Sequence, residues 1–480
     1  MINRVMLIRT FKNVGAGGPV PPLGLLYIAS AIRRVYSDMI KIKLLDTGTG
    51  LSIEDIEYEI DKFSPQFIGL SALTCEADVM HKIAAVSKKI NKKAIVIAGG
   101  PHPTVVFDQV LKDNNIDYAV IGEGEETMTE LIESFNTGAD VSKVDGIAFR
   151  QRGGVVFTNK REYIANLDSL AYPAWELVNI KDYSKYPNWN GNLKEKYYMP
   201  ILTSRGCPYK CIYCHATLGK TFRARSPENV FFEMGHIYHN YGISEFHIFD
   251  DVFNLDMERS KKLCRIIINS GLKFSLSFPN GLRTDIMDEE LINLLRKAGA
   301  YKINYAVETA SFWIQEMIKK DFNMNAARKV IKQTVDRGII TSGYFMFGFP
   351  GETRQDIMET IEFARNSDLD LAYFFKVMPF PGTELYRKII KERAEAANEF
   401  SDLFFYSRQR SCSELHEEEL NDLIMLAQNR FYFKIKRILR LLLKSPYRLK
   451  TLRDLFAVWA RILQYFCLKK MLNEVKDQNG

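Results

Sequence analysis

Residues 203–216 read TSRGCPYKCIYCHA and set Cys207, Cys211 and Cys214 at the spacing C-x3-C-x2-C. Three thiols this close, in a chain with 7 cysteines among 480 residues, point to a shared metal centre rather than to disulfides. A structural zinc site normally closes with four ligands, often as two C-x2-C pairs, and a second pair is missing here. Cys75, Cys264, Cys412 and Cys467 are isolated from one another. His215 directly follows Cys214 and leaves a Cys3His zinc knot as an alternative, although an adjacent residue is poorly placed to reach the same ion. A cubane iron–sulfur cluster is ordinarily held by four thiolates, so three leave one iron open to a substrate or cofactor. Gly206 and Pro208 bend the chain so that the loop can wrap such a group.

Around this loop the sequence alternates strands and helices. From 197 to 387, strands are expected at 198–204, 246–251, 274–281, 303–309, 341–350 and 373–380, with helices at 228–241, 256–270 and 288–298 among them. Six βα units of this size predict a partial (β/α)6 barrel, whose site lies at the carboxyl ends of its strands. The cysteines fall just beyond the first strand. Residues 1–138 form a similar series, with strands at 5–10, 41–48, 67–73, 94–100 and 118–125 and helices at 23–36, 52–62, 76–91, 103–113 and 125–136. That pattern predicts a doubly wound, Rossmann-like parallel sheet with its ligand crevice beyond the strand ends, at PVPPLG, SALT, GGPHPT and GEGEET. The glycines of those turns would let a ligand approach the backbone closely. GEGE follows the fifth strand rather than the first, and no G-x-G-x-x-G follows strand one, so a nicotinamide domain is not expected.

Residues 139–196 read as a connector with a small hairpin around Gly153-Gly154, and 388–480 as a helical, basic extension. Between Arg430 and Lys470 twelve Lys or Arg face one acid, Asp454, while the whole chain carries only +7. Apolar residues such as Phe431, Ile435, Ile438 and Leu442 recur there at helical spacing. Such a segment reads either as a membrane-surface element or as helices closing the barrel with a solvated basic face. A basic stripe does not by itself distinguish phosphates from lipids, but the chain shows no recognisable RNA-binding module, and nucleic acid is the least favoured partner. Few cysteines, no signal-peptide core in MINRVMLIRT and no long apolar run lead to the expectation of a cytoplasmic protein, peripheral at most to the inner face of a membrane.

The C-x3-C-x2-C loop after the first barrel strand, with FDDVFN (249–254), VET (307–309), FGFPGET (347–353) and MPFPGTELY (378–386), resembles the radical S-adenosylmethionine (SAM) superfamily. The resemblance implies a [4Fe-4S] cluster on Cys207, Cys211 and Cys214 whose open iron chelates SAM, and reductive cleavage of SAM to a 5′-deoxyadenosyl radical. It places Tyr213 by the adenine, Asp250 and Asp251 near the methionine amino group, and Glu308 at the ribose or methionine end. A strand-end carboxylate can equally be a helix cap or an ion-pair member. The preceding doubly wound domain, with VPPLGLLYIASAIR (20–33), GGPHPT (99–104) and GEGEET (122–127), is similar to the cobalamin-binding group of that superfamily. This likeness implies cobalamin held near Leu23, Gly24, Ser71, Thr74, Gly99, Gly100, His102, Gly122, Glu123 and Gly124. One departure stands out: many corrinoid domains carry D-x-H-x-x-G after the first strand, whose His ligates cobalt, whereas residues 9–24 contain neither Asp nor His. His102 is the nearest substitute, and it could equally be a rigid loop residue.

The activity this implies is cobalamin-dependent C-methylation of an apolar, lipid- or tetrapyrrole-like small molecule, with an external one-electron donor of the flavodoxin or ferredoxin type. Alternatives are a non-methylating oxidative cyclase or rearranging enzyme, a tRNA-modifying radical enzyme, and a corrinoid or iron–sulfur carrier or sensor without turnover.

Overall fold

The computed structural model describes residues 1–13, 17–188, 190–191, 193–215, 217–392 and 412–479. The strands of the N-terminal half are short, β-branched and buried on both faces, the composition of a parallel sheet covered by helices. They are β1 (Arg4–Arg9), β2 (Lys41–Asp46), β3 (Phe67–Ser71), β4 (Ile95–Gly99) and β5 (Tyr118–Val120). They pair in parallel in the order β2-β1-β3-β4-β5. Helices Leu23–Tyr36 and Glu125–Thr137 cover one face through Leu25, Ala29, Ile32, Leu131 and Ile132. Helices Ile53–Phe63, Ala77–Ile90 and Pro101–Val110 cover the other through Ile56, Ile60, Met80, Ile83 and Val106. The strand expected over 118–125 is only three residues long, because Gly122 at φ +82° turns the chain out of the sheet. The hairpin expected in the connector, β6 (Ile147–Gln151) and β7 (Gly154–Phe157), adds antiparallel to β5 and extends this sheet.

The second sheet runs β8 (Tyr198–Ile201), β11 (Glu245–Ile248), β12 (Ser275–Leu282), β13 (Ala300–Glu308), β14 (Ile340–Phe347) and β15 (Leu371–Lys376), all parallel and in chain order. Two two-residue strands, β9 (Ser204–Arg205) and β10 (Arg223–Ala224), pair antiparallel and clamp the ends of the cysteine loop. Strand alternation divides the barrel residues. Phe246, Ile248, Leu276, Phe278, Ile303, Tyr305 and Phe345 pack outward against the helices. The opposite parity, Glu245, His247, Ser277, Lys302, Asn304, Ser342 and Tyr344, lines the lumen. Asn190 plugs the amino-terminal end of that lumen: its amide donates to Ser277 Oγ at 2.9 Å and its Oδ1 accepts from Asn304 at 3.0 Å.

The barrel is open between β8 and β15, and the exposed edge of β15 would be a template for aggregation. Helix Glu417–Tyr432 covers it; the Tyr432 hydroxyl accepts from the Ala372 N–H at 3.2 Å and donates to its carbonyl at 2.8 Å. Helices Ile435–Lys444 and Arg448–Asn479 follow, and no helix among the described residues is long and apolar enough to cross a membrane.

Candidate functional site

Beyond β8 the chain is pinned at both ends of the cysteine loop. The Cys207 N–H donates to Gly219 O (3.2 Å), Ile212 N–H to Ile318 O (3.1 Å), and Leu385 N–H to Ile212 O (2.9 Å). Gly206 sits at φ +84°, and a Cβ there would lie 2.3 Å from Thr221 O, so only glycine allows the turn into Cys207. All three cysteines are free. Burial pushes the Cys207 thiol up, with Asp251 and Cys211 adding to it. The Cys214 residue as a whole is exposed, yet protein atoms crowd its thiol; that burial, with the fields of Cys211 and Cys207, pushes it up to about 12. Cys207 and Cys214 are therefore held as protonated thiols, and a metal group bound by the loop would take them as thiolates. Among the described residues no three His, Cys, Asp or Glu side chains converge as a single ion requires. A cubane takes each thiolate at a different iron and does not need that convergence. The residues present fit a cluster.

The strand-end acids separate into different roles. Asp250 is buried and accepts from Thr203 N (2.6 Å), from the Thr203 hydroxyl and from Ser204 Oγ (2.6 Å), so it ties the end of β11 to the end of β8. Its carboxylate is thus engaged within the protein, which gives Asp250 a structural role at the strand ends. Among the described residues Asp251 accepts the Gly206 N–H, at 3.2 Å, beside the cysteine loop, and burial raises its pKa. Glu308 ends β13 at φ +69°, next to a register irregularity between Ala306 and Glu308, with Lys320 Nζ 3.4 Å from its Oε1. A non-glycine residue is held in that conformation only where its surroundings over-determine it. Burial raises the Tyr213 hydroxyl well above the ordinary tyrosine range, reinforced by Glu308, which accepts its hydrogen bond. Its ring meets Phe349 edge-on at 5.8 Å. In FGFPGE, buried Glu352 accepts from Gly348 N (2.6 Å) and Phe349 N (3.1 Å), and burial pushes its carboxyl up to about 8.

A cleft opens where the carboxyl ends of the first sheet meet the barrel. Gly24, Ser71, Gly99, Gly100, Gly122, Glu123 and Gly124 line it, as expected for the corrinoid, together with barrel residues Leu202, Arg205, Thr217 and Leu218. Leu23, Thr74 and His102 are not among the residues lining it. His102 is buried in the first turn of its helix, its N–H donating to Ala72 O at 3.1 Å, and burial pulls its imidazole down to about 4. No histidine is among the residues lining the cleft, in keeping with the missing D-x-H-x-x-G. The loops are held together before any ligand arrives: the Gly122 N–H donates to Thr104 Oγ1 (3.1 Å), which donates to Gly100 O (2.8 Å). At Gly100, φ +89°, a Cβ would meet Ser71 Oγ at 2.9 Å, whereas one at Gly24 would meet nothing within 4 Å. Glycine backbone that a ligand can approach closely, aliphatic walls and charges already paired suit the face of a large macrocycle such as a corrinoid, with backbone groups free to meet its amides.

The residues sequence reasoning missed are the arginines beneath the cleft. Arg205 donates to Glu123 (2.8 Å) and Glu125 (2.7 Å), and Arg223 to Glu123 (2.9 Å), all with buried side chains. Arg205 also lies over the Tyr27 ring at 5.0 Å, and Arg223 over Tyr163 at 4.9 Å. The carboxylate of Glu123 is thus committed to the barrel, and it is the residue's place in the cleft wall that remains for a ligand. Arg205 stands two residues before Cys207, so this lattice joins the cleft to the root of the cysteine loop. The clue in the sequence was the pairing of GEGEE with an arginine in TSRGC, which local patterns do not connect across 80 residues.

Comparisons with known proteins agree with this geometry. The B12 binding domain family matches residues 13–132 and the Radical SAM superfamily residues 201–364, together more than half of the chain. An uncharacterised methyltransferase of Pyrococcus horikoshii is 29% identical, over 89% of this chain and 91% of that protein. The cytidylyl-2-hydroxyethylphosphonate methyltransferase of Streptomyces wedmorensis is 29% identical over 77% of this chain and 78% of its own. The anaerobic magnesium-protoporphyrin IX monomethyl ester cyclase of Rubrivivax gelatinosus is 26% identical over 89% and 77%. In fold, the chain is similar to the radical SAM methyltransferase TsrM of Kitasatospora setae, solved with cobalamin and a [4Fe-4S] cluster, with a TM-score of 0.68 at 19% identity over 82% of this chain and 75% of that one. The chain is a radical SAM enzyme and belongs to the cobalamin-binding group of that superfamily.

Proposed function

We propose that the protein transfers a methyl group to an unreactive carbon of a small molecule bound in the barrel. The observation that carries this reading is one cleft walled by the glycine loops of the first sheet and by barrel residues that flank the cysteine loop. When bound, the cluster and SAM supply a carbon-centred radical, and cobalamin supplies the methyl group. Cys207, Cys211 and Cys214 hold the cluster. Asp251 receives the ammonium of the SAM methionine, Glu308 receives a hydroxyl or ammonium hydrogen of the same ligand, and Tyr213 orients Glu308 through its hydroxyl. Asp250 positions Thr203 and Ser204. Gly24, Ser71, Gly99, Gly100, Gly122 and Gly124, with Glu123 in the wall, receive the corrinoid.

The lumen supports a substrate with an apolar body. The ring of Tyr344 lies 5.6 Å from that of Tyr373 and 5.8 Å from that of Phe375, on neighbouring strands facing inward. Deeper in, Asn304 and Ser342 are register partners whose Oδ1 and Oγ are buried without a hydrogen-bond partner among the described residues. A hydrogen-bonding group on the substrate would satisfy them, since buried polar atoms are nearly always paired. An external flavodoxin- or ferredoxin-type donor reduces the cluster, and peripheral membrane contact through residues 430–470 belongs to the same reading.

The test is anaerobic incubation of the reconstituted chain with SAM and a reductant. Formation of both 5′-deoxyadenosine and S-adenosylhomocysteine supports methyl transfer. The second reading, oxidative cyclisation, is favoured by the similarity to the protoporphyrin ester cyclase over most of both chains. It predicts 5′-deoxyadenosine without S-adenosylhomocysteine.

A further inference from the structure

The C-terminal helix Ile435–Lys444 is built the reverse of an ordinary surface helix. Three of its four cations, Arg437, Arg440 and Lys444, face the protein. Arg437 is 5% exposed and donates to the carbonyls of Leu369 (2.8 Å), Phe431 (2.5 Å) and Ser367 (3.0 Å). Arg440 reaches Asp370 at 2.6 Å, and Lys444 reaches Asp370 and Ile339 O, each at 2.9 Å. Ile435, Leu439 and Leu443, one turn apart, face outward at 73%, 56% and 72% exposure. The apolar residues singled out in the sequence divide: Ile435 lies on this outward face, whereas Phe431 is fully buried and Ile438 and Leu442 are half-buried.

Leaving three aliphatic side chains in register in water is unfavourable, and contiguous patches of this kind mark interaction sites. The surroundings select the occupant. Lys436, Arg448, Lys450, Arg453 and Arg461 are exposed, with Asp454 as the one exposed acid between 430 and 469. Exposed Phe433, Tyr447 and Leu449 extend the apolar surface. A second copy would bring the same positive charge against this one, and nucleic acid offers nothing aliphatic to cover the stripe. Acyl chains beneath anionic headgroups satisfy both features.

We propose that the Ile435–Leu439–Leu443 face docks in the interfacial layer of an anionic membrane, with Lys436, Arg448 and Lys450 as its charged collar. The inference rests on the membrane-contact part of the proposed function and is independent of the methyl-transfer chemistry. Sedimentation of the full-length, cluster-loaded chain with phosphatidylcholine vesicles, plain or with about 30% phosphatidylglycerol, tests it. Wild type is expected to pellet with the anionic vesicles. I435Q/L439Q/L443Q should reduce the bound fraction about 10-fold, with melting temperature and SAM cleavage unchanged. K436Q/R448Q/K450Q should weaken binding severalfold, as added salt should for the wild type. Wild type that ignores both vesicles, or a stripe variant that binds like wild type, overturns the proposal. So does a dimer that the stripe variant dissolves, which assigns the face to a second copy, or RNA retention that it abolishes, which assigns it to nucleic acid.

Discussion

The two parallel sheets turn their carboxyl ends toward one cleft, yet furnish it with opposite materials. The first contributes glycine loops and carboxylates already bound to arginines: Gly24, Gly100 and Gly122 in the wall, Glu123 and Glu125 held by Arg205 and Arg223. The second contributes groups suited to coordination and charge: three thiols outside any disulfide, Asp251 beside the cysteine loop, and Glu308 at φ +69°. One side recognises a ligand by shape and backbone, the other by charge and coordination. On the proposed roles, changes in the glycine loops should spare iron chemistry and changes at the cysteines should spare corrinoid binding, whereas Leu202, Arg205, Thr217 and Leu218 of the barrel wall the same cleft.

The largest effect is expected on the reactive side. Cys207→Ala, Cys211→Ala or Cys214→Ala should abolish the cluster's visible absorbance and 5′-deoxyadenosine formation while cobalt binding persists; wild-type turnover in any of them breaks the comparison. Next is the lattice. Arg205→Ala strands buried Glu125 and leaves Glu123 to Arg223 alone, and should cost about 3–5 kcal/mol, read as a lowered denaturation midpoint with both cofactor contents reduced. On the recognition side, Gly24→Leu projects into open space in the cleft and should weaken cobalamin binding about 10-fold by spectrophotometric titration, with iron content unchanged. Asp250 and Asp251 sharpen the contrast within one side. Asp250→Asn should lower stability by about 1–3 kcal/mol through lost hydrogen bonds, whereas Asp251→Asn should keep the melting temperature and weaken SAM binding.

The smallest effect is at Glu352, whose carboxyl ionises near 4.5 when unfolded and only near 8 in the fold. As pH rises through that window the unfolded chain releases a proton that the folded chain keeps, so stability falls. Glu352→Gln keeps an acceptor for Gly348 and Phe349 and should flatten that fall, giving a modestly higher melting temperature at pH 8 than wild type.

Local periodicity made both sheets legible. Helix Leu23–Tyr36 matches its apolar spacing, and the barrel strands lie where β-branched and aromatic runs placed them. The cysteine loop was legible because its ligands are adjacent in sequence. What escaped depends on long-range geometry. Two neighbouring carboxylates, Asp250 and Asp251, look alike in FDDVFN, and only the approach of Thr203 and Ser204 separates them. His102 looked available beside two prolines, but the helix that starts at Pro101 carries it out of the cleft. In the tail, a count of positive charge could not show that Arg437, Arg440 and Lys444 are spent on Asp370 and on carbonyls at the barrel's edge.

The central claim is that one chain binds a cluster and a corrinoid on opposite sides of a shared cleft. Metal analysis after anaerobic reconstitution with iron, sulfide and hydroxocobalamin tests it most directly, with wild type, Cys211→Ala and Gly24→Leu side by side. The account predicts about four irons and about one cobalt in the wild type, cobalt without the cluster in Cys211→Ala, and iron with reduced cobalt in Gly24→Leu. Wild-type protein that takes up iron but no cobalt, or a Gly24→Leu variant that binds cobalamin unchanged, would contradict it.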